Sequence, residues 1–304
     1  MKLLILTHLD VDTIMKLQMQ HEVSIIVGAT TDNLATFLHD CEVLIYRNQI
    51  TISAEMLSNA PYLKQIIRLQ DDQTDVDLDY LAEKGIEFVR IPQPAARGVA
   101  ELAFGLMISL ARKIRCMDRR VRRQLPIPPK AHGLTLEGKT LGIIGAGYIG
   151  RTTGELGHLW GMRVVGCVAN PSNEKARRLR EHGIRLMPFE EVLGSADFLV
   201  IHVPLTPDTH HLIGEIELEQ MKENAFLLNM SAGGVVDEFA LYTALINDQI
   251  AGAALDAHEA SHLEATSPFV NLSNVVLTPH IGGMTLDAQR VVGKQIIRCI
   301  EEAM

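Results

Sequence analysis

The sequence has little of what marks secreted, membrane-spanning or nucleic-acid-binding proteins. Its 304 residues include only four cysteines, scattered at spacings that fit neither disulfides nor a metal site, so we expect reduced thiols in the cytoplasm and no bound metal. Lys and Arg are outnumbered by Asp and Glu, 28 to 37, which argues against nucleic acid as a partner. The longest apolar stretch, residues 102–111, is too short to cross a bilayer, so no membrane partner is expected.

What the sequence does contain is an almost continuous alternation of short apolar segments with helix-like segments. The first apolar segment, residues 3–6, reads as a strand and not as a signal peptide. Such alternation predicts an α/β fold with helices on both faces of parallel sheets. Longer helices are predicted over residues 99–123, where the second part is strongly basic, and over residues 285–304. The chain is long for one core, which favours two domains.

The most informative segment is glycine-rich. An apolar run over residues 141–144 is followed at once by Gly145-x-Gly147-x-x-Gly150 and by a helical pattern. The first glycine allows a tight turn, the second lets the backbone approach a pyrophosphate, and the third lets the helix pack closely on the strand. With another strand-like run at residues 163–168, this context predicts a dinucleotide-binding site.

Several segments, in order along nearly the whole chain, resemble the D-isomer-specific 2-hydroxyacid dehydrogenase family. Beside the glycine motif they are residues 99–101, 202–213, 229–238, 252–256 and 278–283. The resemblance implies two Rossmann-like, doubly wound parallel-sheet domains with a cleft between them, and a homodimer. We predict a flavodoxin-like substrate-binding domain over residues 1–98 plus 284–304, and a dinucleotide-binding Rossmann domain over residues 99–283.

The resemblance also implies which residues surround the cofactor. They belong to the glycine motif and to the segments that follow the strands of the second domain: Gly145, Gly147, Tyr148, Ile149, Gly150, Val203, Pro204, Thr209, Met230, Ser231, Asp256 and Gly282.

The segment after the second strand of this domain bears on the choice between NAD and NADP. An acid at the end of that strand usually binds the ribose hydroxyls of NAD, but here Val168 or Ala169 stands in its place and no carboxylate appears before Glu174. The sequence therefore favours NADP over NAD. Candidate ligands of a 2′-phosphate follow: Asn170, Ser172, Arg177 and Arg178, although the two arginines fit a surface helix equally well.

Hydride transfer in the family needs an arginine for the substrate carboxylate, a histidine for the proton and a glutamate beside that histidine. His280, in Thr-Pro-His-Ile-Gly-Gly, matches the histidine. In the Asn-x-x-Arg-Gly pattern the arginine position is Ala232, and the glutamate position is Ser261. Glu259 and His262 are close enough in sequence to be considered as substitutes for that glutamate.

A third departure lies in the segment where the family has a glycine-rich substrate loop. Gln70 and Asp72 stand where glycines are expected, and Asp71 adds a second negative charge. These charges disfavour an ordinary 2-hydroxy acid as substrate. Arg97 is a candidate replacement cation, or else a surface arginine. Without it, a neutral or cationic small molecule such as an amino ketone is expected.

Two functions remain open at this point. The first is an NAD(P)-dependent oxidoreductase that uses His280 as acid or base and acts on a small molecule other than a standard 2-hydroxy acid. The second is a dinucleotide-binding protein that has lost catalysis and acts by binding or assembly, which Ala232 and Ser261 favour and His280 disfavours.

Overall fold

The computed structural model describes residues 1–27, 31–47, 52–69, 76–91, 96–129, 131–259 and 267–303. The chain divides into two compact units. One comprises Met1–Pro94 with Thr285–Met304, and the other comprises Ala95–Met284. The domain limits that we predict at 98/99 and 283/284 stay predictions.

The first unit is built on parallel strands flanked by helices. Numbered in chain order, its elements are β1 (Lys2–Ile5), α1 (Val11–Gln20), β2 (Glu22–Ile25), α2 (Thr31–Leu38), β3 (Val43–Tyr46), α3 (Ala54–Ser58), β4 (Gln65–Arg68), α4 (Leu78–Lys84), β5 (Glu87–Arg90) and the last helix of the chain, α12 (Leu286–Glu302). The strand order in its described part is β2-β1-β3-β4-β5. The central strands β3 and β4 are wholly buried, as expected for a sheet covered on both faces, and β4 includes the buried polar residues Gln65 and Arg68.

The second unit begins with two helices, α5 (Ala96–Ala111) and α6 (Ile114–Arg122). The remaining elements are β6 (Thr140–Ile144), α7 (Tyr148–Leu159), β7 (Arg163–Cys167), α8 (Asn173–Glu181), β8 (Ile184–Leu186), α9 (Phe189–Ser195), β9 (Phe198–Ile201), α10 (Glu215–Glu219), β10 (Phe226–Asn229), α11 (Glu238–Ile246), β11 (Gly252–Leu255) and β12 (Val275–Leu277). Across the described residues the order is β12-β11-β10-β9-β6-β7-β8, with every pairing parallel.

This arrangement confirms the predicted fold class of two Rossmann-like parallel-sheet units. In the second unit the chain leaves β6 toward β7 on one side, while β9 pairs with β6 on the other. The order therefore reverses at β6, and ligands of such sheets bind at the carboxyl end of the strands at that switch point. The glycine motif follows β6 directly.

The single helix predicted over residues 99–123 is wrong. The chain forms α5 and α6 instead, separated at Lys113, whose φ of 54° is left-handed. The backbone N–H of Leu134 donates to the carbonyl oxygen of Ala111 at 2.9 Å and so satisfies the end of α5. This contact comes from a segment more than twenty residues away, which local sequence patterns do not reveal.

A cavity of about 720 Å³ lies in the second unit but is not the dinucleotide site. Its lining includes Phe226, Ala251 and Asn274, which stand at the amino ends of β10, β11 and β12. The glycine motif is at the carboxyl end of a parallel strand, hence at the opposite edge of the sheet. Within the described residues, none of the helices combines the length and apolar character that a membrane crossing requires.

Candidate functional site

The glycine turn after β6 has the geometry that its sequence predicts. Gly145 has a left-handed φ of 89°, and a Cβ there would lie 3.0 Å from the backbone of His202 and 2.7 Å from Val203. A Cβ on Gly150 would overlap the carbonyl oxygen of Gly145. By contrast, a Cβ on Gly147 would meet nothing within 4 Å. Gly145 and Gly150 are therefore required by the fold, whereas Gly147 opens the backbone to a ligand.

Helix α7 begins at this turn with its first N–H groups available. Its N-cap is Gly147, and among the described residues no side chain caps the helix. Uncapped N–H groups at a helix N-terminus, together with the helix dipole, suit a pyrophosphate. The guanidinium of Arg151 lies 5.6 Å from the ring centroid of Tyr148 in this first turn. Tyr148 and Ile149 were predicted here from the sequence. Arg151 was not, although it directly follows the third glycine.

The end of β9 lies against the glycine turn. The N–H of His202 donates to the carbonyl of Ile144, and its Nε2 is 2.9 Å from Oγ1 of Thr153 on α7. Burial lowers the pKa of His202 to about 3, so this imidazole stays neutral at ordinary pH. Since it cannot titrate in the working range, His202 serves the packing of strand against helix.

The predicted residues Pro204 and Thr209 belong to the loop after β9. The hydroxyl of Thr209 donates to the carbonyl of Pro204 at 2.6 Å and accepts the N–H of Thr206 at 2.7 Å. These bonds close the loop next to Val203, which itself contacts the glycine turn. The hydroxyl of Thr209 is thus already engaged within its own loop.

The loop after β7 is exposed and holds no carboxylate before Glu174. Ser172 is the N-cap of α8, where its hydroxyl oxygen accepts the N–H of Lys175 at 3.2 Å. The ammonium of Lys175 turns back and donates to the carbonyl of Asn170 at 2.8 Å. A cation therefore lies on the segment where the ribose of a dinucleotide is recognised in such folds.

Lys175 was not predicted from the sequence. The candidates there were Arg177 and Arg178, which are exposed further along α8. Side chains on a helix point toward its N-terminus, so a lysine in the first turn reaches the preceding loop. The position of Lys175, three residues after the capping serine, was the signal available in the sequence.

The segment after β10 is held by Asn229, which is buried. Its Oδ1 accepts both the N–H and the hydroxyl of Ser231, and its Nδ2 donates to the carbonyl of Ala232 at 3.0 Å. Met230 is buried in the core of the unit. The turn is thus formed at the position predicted to correspond to the family's arginine, and it carries the methyl group of Ala232 there.

The segments after β11 and β12 are joined by the buried carboxylate of Asp256. One of its oxygens accepts the Thr278 hydroxyl at 2.6 Å and the Ile281 N–H at 2.9 Å, and the other accepts the Gly282 N–H at 2.9 Å. Between these donors lies His280, exposed and left-handed, with φ 56°. Asp256 therefore supports the turn that carries His280. A contact of Asp256 or Gly282 with the cofactor stays a prediction.

Glu259 is engaged away from His280. Its carboxylate accepts from Nε2 of His211 at 3.1 Å and from the N–H of Glu238 at 3.3 Å. Burial raises the pKa of the neighbouring Glu238, with the charge of Glu259 acting in the same direction. A role of Glu259 beside His280 stays a prediction.

The other expected site residues are divided between described and undescribed segments. Arg97 lies in the first turn of α5, where its Nε donates to Glu101 at 2.6 Å and the side chain is exposed. Among the described residues, no hydrogen bond links Arg97 to the residues around His280. Gln70, Asp71, Asp72, Ser261 and His262 lie outside the described residues. Among the described residues, no group of three His, Cys, Asp or Glu side chains could hold a metal.

Comparison with known proteins relates this arrangement to one family. Residues 104–282 match the family described as D-isomer specific 2-hydroxyacid dehydrogenase, NAD binding domain. Over all 304 residues the chain is 34% identical to the D-3-phosphoglycerate dehydrogenase of Methanocaldococcus jannaschii, of which it spans 57%. It is 31% identical to the hydroxypyruvate reductase of Thermotoga maritima, with 88% of this chain and 87% of that protein covered.

Solved structures agree with the sequence comparison. An acyclic imino acid reductase in complex with NADPH and D-Arg superposes with a TM-score of 0.82 at 27% identity, covering 99% of this chain and 96% of that one. The similarity therefore extends through both units of the chain.

Proposed function

This chain belongs to the D-isomer-specific 2-hydroxyacid dehydrogenase family, and we propose that it is an NADP-dependent oxidoreductase whose substrate is not a standard 2-hydroxy acid. One observation carries the proposal. The glycine turn, the uncapped start of α7 and the His280 turn are all intact, while Ala232 stands on a fully formed turn where the family has its carboxylate-binding arginine. The site is thus built for a dinucleotide and lacks its usual grip on a carboxylate.

The residues present fit a dinucleotide. The open side of Gly147 and the free N–H groups of Tyr148 and Ile149 would hold the pyrophosphate. The loop after β7 supports NADP over NAD, because it has no acid to repel a 2′-phosphate and the ammonium of Lys175 lies against Asn170. The imino acid reductase bound to NADPH is a relative of similar fold that takes this cofactor.

A nicotinamide dinucleotide held at the glycine turn would supply the hydride chemistry of the reaction. The chain itself has to move the matching proton and hold the reacting group. His280 would give its proton to the oxygen of a carbonyl substrate during reduction, and would take it back during oxidation. Bonds from Asp256 hold the backbone turn that carries this imidazole. Keeping a donor in place before the reaction is how such a site lowers its barrier.

The missing guanidinium defines the substrate class. An arginine fork binds a carboxylate through two parallel hydrogen bonds, and a methyl group offers none. We therefore propose a small carbonyl compound that carries no carboxylate next to the reacting carbon, with a neutral or cationic substituent there. An amino ketone is one example.

The test is a panel of NADPH oxidations. Ketones, amino ketones and 2-keto acids are offered to the protein, and the decrease in NADPH absorbance is followed. We expect turnover of amino ketones or neutral ketones to exceed that of pyruvate and hydroxypyruvate. In His280→Ala this turnover should fall at least 100-fold, because general acid–base catalysis contributes about 10²- to 10⁴-fold. Turnover that prefers keto acids would contradict the substrate class.

Cofactor binding is measured in parallel. NADPH bound tightly by the wild-type protein, with no turnover of any carbonyl compound, would favour the second function, a dinucleotide-binding protein without catalysis. This alternative is favoured by the alanine, Ala232, at the predicted position of the arginine. His280→Ala should bind NADPH as the wild type does, since the glycine turn is unchanged.

We also propose a homodimer in the cytoplasm. Exposed apolar side chains lie among the cations of α6 and the segment after it: Ile114, Val121, Leu125 and Ile127. Exposed apolar groups of this kind mark protein–protein contacts. All four cysteines are free thiols, which suits a reducing compartment.

A further inference from the structure

A second histidine lies beside the His280 turn, and neither the family resemblance nor the proposed reaction uses it. His258 follows β11, two residues beyond Asp256. Its side chain is half-buried, and its Nε2 is 3.0 Å from the carbonyl oxygen of Thr278. Thr278 precedes His280 by two residues. The imidazole of His258 therefore touches the backbone that leads into the turn.

The geometry fixes the protonation of that imidazole. A carbonyl oxygen only accepts, so Nε2 of His258 must carry a proton and donate it to Thr278. Nδ1 is buried and has no hydrogen-bond partner among the described residues. The hydrogen-bond partners therefore place a proton on Nε2 of His258.

The backbone of His258 is itself held in place. A Cβ on Gly233 would overlap the carbonyl group of His258, so this glycine lets the turn after β10 lie directly on it. The next residue, Glu259, donates its N–H to the carboxylate of Glu238 at 2.9 Å, at the start of α11. The backbone of His258 is thus fixed, and its imidazole extends to the carbonyl of Thr278, the residue that follows β12.

The His280 turn needs such support. A left-handed φ of 56° at a residue other than glycine is uncommon and persists only where the surroundings impose it. Asp256 holds the turn on the far side of His280 through Ile281 and Gly282, and at Thr278 through the hydroxyl. The bond from His258 adds a hold on the carbonyl of Thr278. Both supports come from the same short segment after β11.

We propose that His258 is a positioning residue for His280. Through its Nε2–H it fixes the carbonyl of Thr278 and, with Asp256, holds the imidazole of His280 in its working position. The inference rests on the proposed function, in which His280 carries the proton. In this chain His258 acts on the backbone that precedes His280. Its own carbonyl packs on Gly233, the residue after Ala232.

Two substitutions separate the hydrogen bond from the space that the side chain fills. His258→Leu removes the donor, whereas His258→Gln keeps an N–H at the position of Nε2. We expect His258→Leu to lower kcat about tenfold, as for a lost positioning contact, with the KM for NADPH within about twofold. His258→Gln should keep kcat within about threefold of the wild type. His182→Gln is the matched control, because His182 pairs with Glu155 elsewhere in the unit.

A readout without turnover keeps this inference distinct from the proposed function. The imidazoles are labelled with ¹³C and ¹⁵N, and the signals of His258 and His280 are assigned with His258→Gln and His280→Gln. We expect the Nε2–H tautomer for His258 in the wild type. We further expect a shifted or broadened His280 signal in His258→Leu, and an unshifted one in His258→Gln and His182→Gln.

The outcomes divide cleanly. An Nδ1–H tautomer, a His280 signal unmoved in His258→Leu, or equal losses in the Leu and Gln variants would each overturn the positioning role. If no carbonyl compound is turned over but the His280 signal moves as expected, the positioning role stands and the proposed reaction fails. If His258→Leu does not fold, the wild-type tautomer and the His258→Gln variant still decide the question.

Discussion

At the scale of single residues, the three glycines of the motif have different tasks although the motif writes them alike. Gly145 and Gly150 are needed by the backbone, because a side chain there would strike the neighbouring chain. Gly147 has free space beside it and a φ of −75°, which any residue adopts. Gly145 and Gly150 therefore matter for stability, whereas we expect Gly147 to matter for binding.

Alanine substitutions should separate these tasks. Gly145→Ala forces a left-handed alanine against His202 and Val203, so we expect the free energy of unfolding to fall by about 2 kcal/mol or more. Gly147→Ala should change it by less than about 0.5 kcal/mol, yet weaken NADPH binding about tenfold or more because the methyl group occupies the ligand side. Urea denaturation and NADPH fluorescence titration measure the two effects. A destabilised Gly147→Ala that binds normally would refute this division.

We expect cofactor preference also to depend on single side chains, in the loop after β7. Ala169→Asp puts a carboxylate where NAD-binding relatives have one. Repulsion between this charge and a 2′-phosphate costs on the order of 1 kcal/mol even in water, so we expect the KM for NADPH to rise about tenfold and that for NADH to fall. Lys175→Met should raise the KM for NADPH while leaving that for NADH unchanged.

Steady-state kinetics with both cofactors provide the measurement. Gln220→Glu is the control, since it makes the same change of net charge at the exposed C-cap of α10. If Lys175→Met alters both cofactors equally, Lys175 does not read the 2′-phosphate.

At the scale of elements, the strands of the second unit use their two ends differently. The carboxyl ends of β6, β9, β10, β11 and β12 carry the residues of the candidate site. At the amino end, Asp197 precedes β9 and joins two elements. Its carboxylate accepts from the ammonium of Lys222 and from the N–H of Thr140, both at 2.8 Å. This partly buried pair is a structural contact, remote from the chemistry.

The Asp197 contact makes stability depend on pH. Burial acts to raise the pKa of Asp197, but the bonds from Lys222 and Thr140 outweigh it, and the net pKa is lowered. A lowered folded pKa contributes stability that is present above the unfolded value of about 3.9 and is lost as pH falls through the folded pKa. Lys222→Met should therefore cost about 1–3 kcal/mol of unfolding free energy at pH 7 and less near pH 3.

Urea denaturation at both pH values is the measurement for Lys222→Met. Lys84→Met serves as the control, because both side chains of the Lys84–Glu83 pair are exposed to solvent and such pairs contribute little. A cost for Lys222→Met that is equal at pH 7 and pH 3 would remove Asp197 from the explanation.

Elements were predictable from sequence where the pattern is local. Apolar runs such as residues 141–144 become buried strands, and the order of segments gave the family and the two units. The break at Lys113 was not predictable, because Leu134 ends α5 from a distant segment. Lys175 and His258 were missed for a related reason. Their roles depend on Asn170 and on Thr278, contacts that the sequence does not place.

At the scale of the whole molecule, charge is unevenly distributed along the chain. The net charge is −9, yet residues 112–123 contain seven cations and one acid. Apolar side chains lie exposed within and just after this basic segment, as on Val121 and Ile127, which are 76% and 80% exposed. A mixed apolar and arginine-rich surface is typical of protein interfaces.

The proposed homodimer is therefore expected to depend on this segment. The double variant Val121→Asp/Ile127→Asp should be a monomer of 33.6 kDa by light scattering after size-exclusion chromatography, and the wild type twice that mass. A charge in an apolar interface is left unpaired and opposes association. Met19→Asp is the control, since Met19 is as exposed on α1, at 84%. A monomeric wild type, or a double variant that stays dimeric, would exclude this interface.

The hydrogen bonds from Asn229 to Ser231 and Ala232 have a consequence for how the sequence of this turn can change. Because the amide of Asn229 holds the turn through backbone groups and a serine, the turn does not depend on which side chain residue 232 carries. If residue 232 contributes to substrate choice as proposed, that choice can change by one side chain while the hydrogen bonds below it stay in place. Ala232→Arg would add a guanidinium to this turn without removing any of the bonds from Asn229 that form it.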